Sequence, residues 1–245
     1  HLIVKDLQQL YGTKRAFAVY NPNDESKTIT VQFKDIDLDG NVRLRDAFLK
    51  RDLGDFTESY EVTIPAHGPR IYVADAENRL ERTRYEAETG YIATYQEIKN
   101  NQAEKSGIYD AADYCAGGYK AGWLGMSEKN ALEWRNVYSL TGGEYKMTIG
   151  FISGESRNIT ISVNGKKVQT VSANSGGWNK VGKKTITIQL EKGNNVIRLS
   201  NPSNWMPDID YMELSLTNPS AINQQKVSDK GHGKTYDLLG RTAKV

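Results

Sequence analysis

Tyr145-Lys146-Met147-Thr148-Ile149-Gly150-Phe151 sets large apolar side chains alternately with polar or small ones. Successive side chains of a strand point to opposite faces, so this stretch predicts a strand with one buried face. The same period recurs in Ile159-Thr160-Ile161-Ser162-Val163 and in Thr185-Ile186-Thr187-Ile188-Gln189-Leu190. Turn signals separate these runs: Asn164-Gly165, Asn174-Ser175-Gly176-Gly177 and Lys192-Gly193-Asn194. No segment longer than about ten residues carries helical periodicity. Strands at short, turn-separated spacing favour antiparallel sandwiches over parallel α/β folds. The chain reads as all-β.

Working outward, 245 residues suffice for two domains of roughly 100–150 residues each. Toward the N-terminus, strand candidates are 2–7, 15–20, 28–33, 42–46, 60–64 and 70–73. The charged stretch from Ala74 to Arg84 reads as a connector, and a second strand-rich block runs from Tyr85 to about Leu216. From Asn218 to Lys234 the sequence is polar and rich in Gly, Ser, Lys and Gln, which suits a flexible linker. We therefore expect domains over 1–80 and 83–217, with a linker and tail over 218–245.

Composition narrows the function. The formal net charge is +2, too small to supply the basic field a nucleic-acid partner requires. No apolar run approaches the ~18 residues of a membrane-spanning helix. His1 opens directly onto strand-like sequence, so no signal peptide is expected, and the start is that of a mature or trimmed fragment. Cys115 stands alone, which excludes an internal disulfide and a thiolate metal site and leaves a small buried residue. His67, in Pro65-Ala66-His67-Gly68-Pro69, reads as a turn residue.

Two groups of residues carry possible chemistry. Glu86 and Glu88, in Tyr85-Glu86-Ala87-Glu88, project to one side of a strand. Paired carboxylates repel unless a cation or donor lies between them, and hard oxygens suit Ca2+. The first and last strands of a sandwich are often neighbours, so Asp210 is placed to complete the cluster; the alternative is a set of solvated rim charges. The second group is aromatic. Trp178 follows Ser175-Gly176-Gly177, and Trp205 lies in Asn201-Pro202-Ser203-Asn204-Trp205-Met206-Pro207. Indoles match the C–H faces of sugar rings, and the amides of Asn201 and Asn204 read hydroxyls. The alternative is that these tryptophans plug the ends of the sandwich. Trp134 alternates with Leu132 and is placed in the core, whereas Trp123 sits ambiguously in strand-like sequence.

Resemblance adds to this reading. His1-Leu2-Ile3-Val4-Lys5-Asp6-Leu7 and Lys14-Arg15-Ala16-Phe17-Ala18-Val19-Tyr20-Asn21-Pro22 resemble the antiparallel β-domain that follows the catalytic barrel of α-galactosidases. Arg45-Asp46-Ala47-Phe48, Asp52-Leu53-Gly54 and Val62-Thr63-Ile64-Pro65-Ala66-His67-Gly68 match its later strands in order. The likeness covers nearly all of 1–75. It implies a parent glycoside hydrolase whose active site lies in a barrel outside this chain, with that barrel as a partner. Neither block is large enough for a barrel of about 250 residues, the kind of rigid scaffold that usually holds a catalytic acid pair.

The second block is similar to carbohydrate-binding modules of families thirty-five and six. Besides Tyr85-Glu86-Ala87-Glu88 and Ile209-Asp210-Tyr211-Met212-Glu213-Leu214, the matching pieces are Gly117-Gly118-Tyr119-Lys120-Ala121-Gly122-Trp123, Ser162-Val163-Asn164-Gly165, Gly176-Gly177-Trp178 and Leu190 to Leu199. The likeness implies a β-sandwich of jelly-roll type and a structural Ca2+ held by Glu86, Glu88 and Asp210. It also implies a sugar site built from Tyr119, Trp178 and Asn201 or Asn204, with Trp205 nearby. The ligand it implies is a galactose-containing glycan or a uronic acid. In the tail, Tyr236-Asp237-Leu238-Leu239-Gly240-Arg241 is similar to the start of sorting domains of proteins secreted by some Gram-negative bacteria, implying a bacterial protein that is secreted, periplasmic or at the cell surface.

Together these readings lead us to expect the non-catalytic, carbohydrate-binding accessory region of an α-galactosidase-like enzyme, which targets the enzyme to polysaccharide. One rival is a purely structural pair of sandwiches packed on the barrel. The other is a fragment with its own hydrolase activity.

Overall fold

The computed structural model describes residues 2–7, 12–95 and 106–217, and the expected linker and tail over 218–245 lie outside them. All strand pairings are antiparallel. Among the described residues no helix is long and apolar enough to cross a membrane.

The first sandwich contains β1 (Leu2–Asp6), β2 (Lys14–Tyr20), β3 (Lys27–Gln32), β4 (Leu38–Asp46), β5 (Arg51–Thr57), β6 (Ser59–Ile64) and β7 (Pro69–Arg79). A five-stranded sheet in the order β1-β2-β7-β4-β5 faces the β3-β6 ribbon. Strict alternation in β2 sends Phe17 and Val19 into a core shared with Val31, Leu44, Ile64 and Tyr72. Each such burial contributes about 1.5–3 kcal/mol. His67 sits at the turn before β7 with φ 50, and its Nε2 lies 2.9 Å from the Asp24 carboxylate.

Two expectations change here. β5 was not among the strand candidates, because Arg51-Asp52-Leu53-Gly54-Asp55-Phe56-Thr57 lies at a sheet edge and shows no apolar alternation. The stretch 74–84 is only partly a connector: Ala74 to Arg79 completes β7, which pairs with β2 and β4. Its charges mislead because Arg79 is buried rather than solvated.

The second sandwich contains β8 (Arg84–Glu86), β9 (Tyr91–Ile92), β10 (Ile108–Ala111), β11 (Tyr119–Gly122), β12 (Leu132–Ser139), β13 (Gly143–Ser153), β14 (Arg157–Val163), β15 (Lys166–Ala173), β16 (Gly177–Leu190), β17 (Gly193–Ser200) and β18 (Asp208–Leu216). One sheet runs β10-β11-β18-β13-β16 with β8 also on β18; the other runs β15-β14-β17-β12-β9. The alternation over 145–151 is the centre of the first sheet: Tyr145, Met147, Ile149 and Phe151 all enter the core. On the opposite face Gly150 is required, since a Cβ there would stand 2.4 Å from the Tyr211 ring. Asn164 (φ 50) and Gly165 (φ 78) make the tight turn between β14 and β15, whose left-handed conformation both residue types tolerate. Trp134 is buried in the core and donates its Nε1 to the Glu86 carbonyl. Cys115 is buried, and burial pushes its thiol up to about 12, far from a reactive thiolate.

Candidate functional site

β17 and β18 are joined by the loop that carries Trp205, and the loop is fixed from several sides. Asn204 Oδ1 accepts from the Trp205 amide at 2.8 Å, and Asn201 Nδ2 donates to the Trp205 carbonyl at 3.1 Å. The carbonyls of Asn201 and Asn204 both accept from the Met126 amide, and Met206 N–H donates to the Leu124 carbonyl. The opposing segment is held by buried Asn130, which donates to the carbonyls of Trp123 and Gly125 at 2.8 and 2.9 Å. Trp123 (φ 58) and Met126 (φ 62) adopt the left-handed conformation that side chains rarely take. Strain of that kind persists only where surrounding structure imposes it.

The result is a cavity of ≈ 310 Å³ lined by Asp110, Lys120, Trp123, Arg157, Trp178, Trp205 and Asp208. Trp123 and Trp205 meet edge to face with centroids 5.7 Å apart. The Arg157 guanidinium lies 4.6 Å from the Trp178 ring centroid. A Cβ at Gly154 would stand 2.5 Å from the Trp178 Nε1, so glycine lets the indole lie on the backbone. The floor is polar: Lys120 Nζ binds Asp208 Oδ2 at 2.6 Å, with side-chain exposures of 12% and 16%. Burial works against the Lys120 ammonium, but the bond to Asp208 overrides it and holds its pKa above the ordinary value.

The expected sugar-site residues separate. Trp178 and Trp205 line this cavity together. Asn204 stays exposed at its rim, while Asn201 is buried and uses its amide to brace the loop. Tyr119 is not among the lining residues. It is exposed at the start of β11, and strand alternation gives it the face opposite its neighbour Lys120, which lines the cavity. Sequence reading passed over Lys120, Asp208, Asp110 and Arg157, all ordinary charges until β-pairing sets Lys120 opposite Asp110. The one available signal was parity: whichever face of β11 holds Ala121, Lys120 takes the other.

The acids Glu86, Glu88 and Asp210 do converge. Glu86 pairs in register with Tyr211, beside Asp210. A Cβ on Gly117 (φ +71) would stand 2.7 Å from Glu88 Oε1 and 3.7 Å from Glu86 Cγ. Among the described residues, however, no three His, Cys, Asp or Glu side chains are arranged to hold a metal ion. Glu86 is drawn aside by Arg84, whose Nε lies 2.5 Å from its carboxylate. What remains is a buried oxygen on each of Glu88 and Asp210 with no hydrogen-bond partner. Burial, followed by the neighbouring Glu86 and Glu88 charges, pushes Asp210 up to about 6, against a backbone hydrogen bond from Ala116 that lowers it. Burial also raises Glu88.

Residues 4–74 match the family described as the alpha galactosidase C-terminal beta sandwich domain. The match thus falls on the first sandwich. No curated protein matches the sequence. Among solved structures, a family 35 carbohydrate-binding module from Clostridium thermocellum is 28% identical, covering 54% of this chain and 97% of its own, with a TM-score of 0.47. An exo-beta-1,3-galactanase from Phanerochaete chrysosporium is 26% identical, covering 64% of this chain and 37% of its own, with a TM-score of 0.47. The isomalto-dextranase of Arthrobacter globiformis T6, complexed with panose, is 17% identical, covering 86% of this chain and 36% of its own, with a TM-score of 0.51. At that identity the last likeness shows the fold alone. This chain therefore spans little more than a third of either enzyme's length.

Proposed function

We propose that the second sandwich binds sugar in the tryptophan-lined cavity. We further propose that the chain is the non-catalytic accessory region of a secreted bacterial α-galactosidase-like glycoside hydrolase. The observation that carries the reading is the cavity itself: indoles of Trp123, Trp178 and Trp205 stand over a hydrogen-bonding floor of Lys120 and Asp208. Apolar faces for C–H groups beside fixed donors and acceptors are what a sugar ring demands. The match of residues 4–74 supports the parent enzyme class, and the first sandwich would pack on its catalytic barrel. Tethering through a sugar site raises the enzyme's effective concentration at polysaccharide.

A glycan array with the whole chain tests this. Binding should fall about tenfold or more in Trp178→Ala and Trp205→Ala, as for aromatic anchors at other binding sites. Silence across the array from folded protein, unchanged by either substitution, would favour the purely structural alternative. The chain itself should not turn over a chromogenic galactoside, and persistent turnover by clean protein would defeat the non-catalytic reading.

Calcium belongs to the same proposal. The orphaned oxygens of Glu88 and Asp210 are hard donors on adjoining segments, and a cation there would satisfy both. Glu86 would join them by leaving Arg84. Such an ion would tie the start of the sandwich, near β8, to its last strand, β18.

A further inference from the structure

The charges lining the tryptophan cavity discriminate between the two ligand classes expected from sequence, a galactose-containing glycan and a uronic acid; this inference rests on the carbohydrate-binding reading above. A uronate brings a carboxylate, which requires a cation able to receive it. Lys120 and Arg157 are the cations of the lining. Lys120 is bound to Asp208 at 2.6 Å. Arg157 meets the Glu155 carboxylate through Nε at 2.8 Å and Nη2 at 2.7 Å, and donates Nη1 to the Met206 carbonyl at 3.1 Å. Its guanidinium also lies over Trp178. Each of these cations is thus already paired with a carboxylate, and Asp110 adds a further acid to the lining.

A carboxylate entering this cavity would have to displace Asp208 from Lys120 or sit among acids. Either arrangement sets like charges together in a partly dry site, which weakens binding of the carboxylate. Neighbouring hydroxyls avoid that cost. Of the three Lys120 N–H groups one is directed at Asp208 and one at Tyr114, which leaves one for a hydroxyl, and the Asp208 carboxylate retains acceptor lone pairs. One hydroxyl can accept from Lys120 while the next donates to Asp208, and the ion pair stays intact. Gly122 keeps this geometry open, since a Cβ there would press within 3.3 Å of Asp208 Oδ1.

We propose that Lys120 and Asp208 together read a vicinal diol, making the site selective for neutral sugars and unfavourable to uronic acids. Calorimetric titration of the whole chain with methyl α-D-galactoside, methyl α-D-glucoside and D-galacturonate tests this. At least one neutral glycoside should bind about tenfold or more tighter than galacturonate. Its affinity should change little between low and high salt, because no net charge is transferred. Asp208→Asn keeps the shape and releases Lys120, so galacturonate should gain affinity while the neutral sugar loses it. Galacturonate binding as tightly as every neutral glycoside in the unsubstituted chain would overturn the inference and leave the carbohydrate reading standing. Binding of no sugar at all, with Trp178→Ala equally silent, would overturn both.

Discussion

At the scale of single residues, the most exposing features are oxygens without partners. Glu88 and Asp210 each bury one, and a buried polar atom left unpaired costs about 1–3 kcal/mol. A bound Ca2+ would remove that cost, and an ion present at a hundredfold over its Kd would add about 2.7 kcal/mol to folding. Added Ca2+ should therefore raise the melting temperature by about 5 °C or more, and chelation should reverse the rise. Glu88→Ala and Asp210→Asn should each abolish the difference. A melting temperature indifferent to both calcium and chelator would remove the metal from the account. These three acids were singled out from sequence by type and spacing. The intrusion of Arg84 was not, because its reach across to Glu86 depends on a side-chain conformation set by Glu213 and the Tyr211 ring.

At the scale of elements, two facing loops bring Trp123 and Trp205 to the proposed sugar site, whose other lining residues stand on strands. Gly125 forms an isolated bridge with Trp205, and a Cβ there would stand 2.3 Å from the Asn204 carbonyl and 2.8 Å from the Met206 amide. Its φ of +102 also excludes ordinary side chains. Gly125→Ala should push the Trp205 loop outward and weaken glycan binding by about tenfold or more. The change should leave most of the fold intact, since the strain falls between loops; near-unchanged far-UV circular dichroism with lost binding is the expected pair of results. Unchanged affinity would show that the loop position does not matter. Strand positions were legible because β2, β13, β14 and the C-terminal half of β16 alternate over a core. β5 was not, because an edge strand with little buried surface leaves no such record.

At the scale of the whole molecule, the two sandwiches meet through charge. Asp37, buried and with φ 57, holds Arg15 at 2.7 Å, Arg82 at 3.1 Å and Arg79 at 3.3 Å. Arg15 also pairs with Asp6 at 2.6 Å, and Asp6 accepts from Asn194 of the second sandwich at 3.1 Å. The Arg79 guanidinium lies 4.8 Å from the ring centroid of Tyr138, another residue of the second sandwich. Removing one member of a buried charge network costs about 3–5 kcal/mol because its partners stay behind. Calorimetry of the intact chain should show one unfolding transition. Asp37→Ala should split it, with the first sandwich melting early. A single transition at an unchanged temperature in that variant would show that the network does not couple the domains.

By itself the sequence determined what period and residue type can carry: an all-β chain, the core faces of most strands, and the aromatic and acidic residues worth watching. These follow from local rules, since alternation and turn chemistry act over a few positions. Tertiary structure decided which of those residues meet. It turned Lys120 rather than Tyr119 into the cavity, made Asn201 a brace, and buried the charge of Arg79 at a domain junction. Such outcomes depend on which strands pair and which loops face each other, contacts between residues far apart in the chain that no local pattern records.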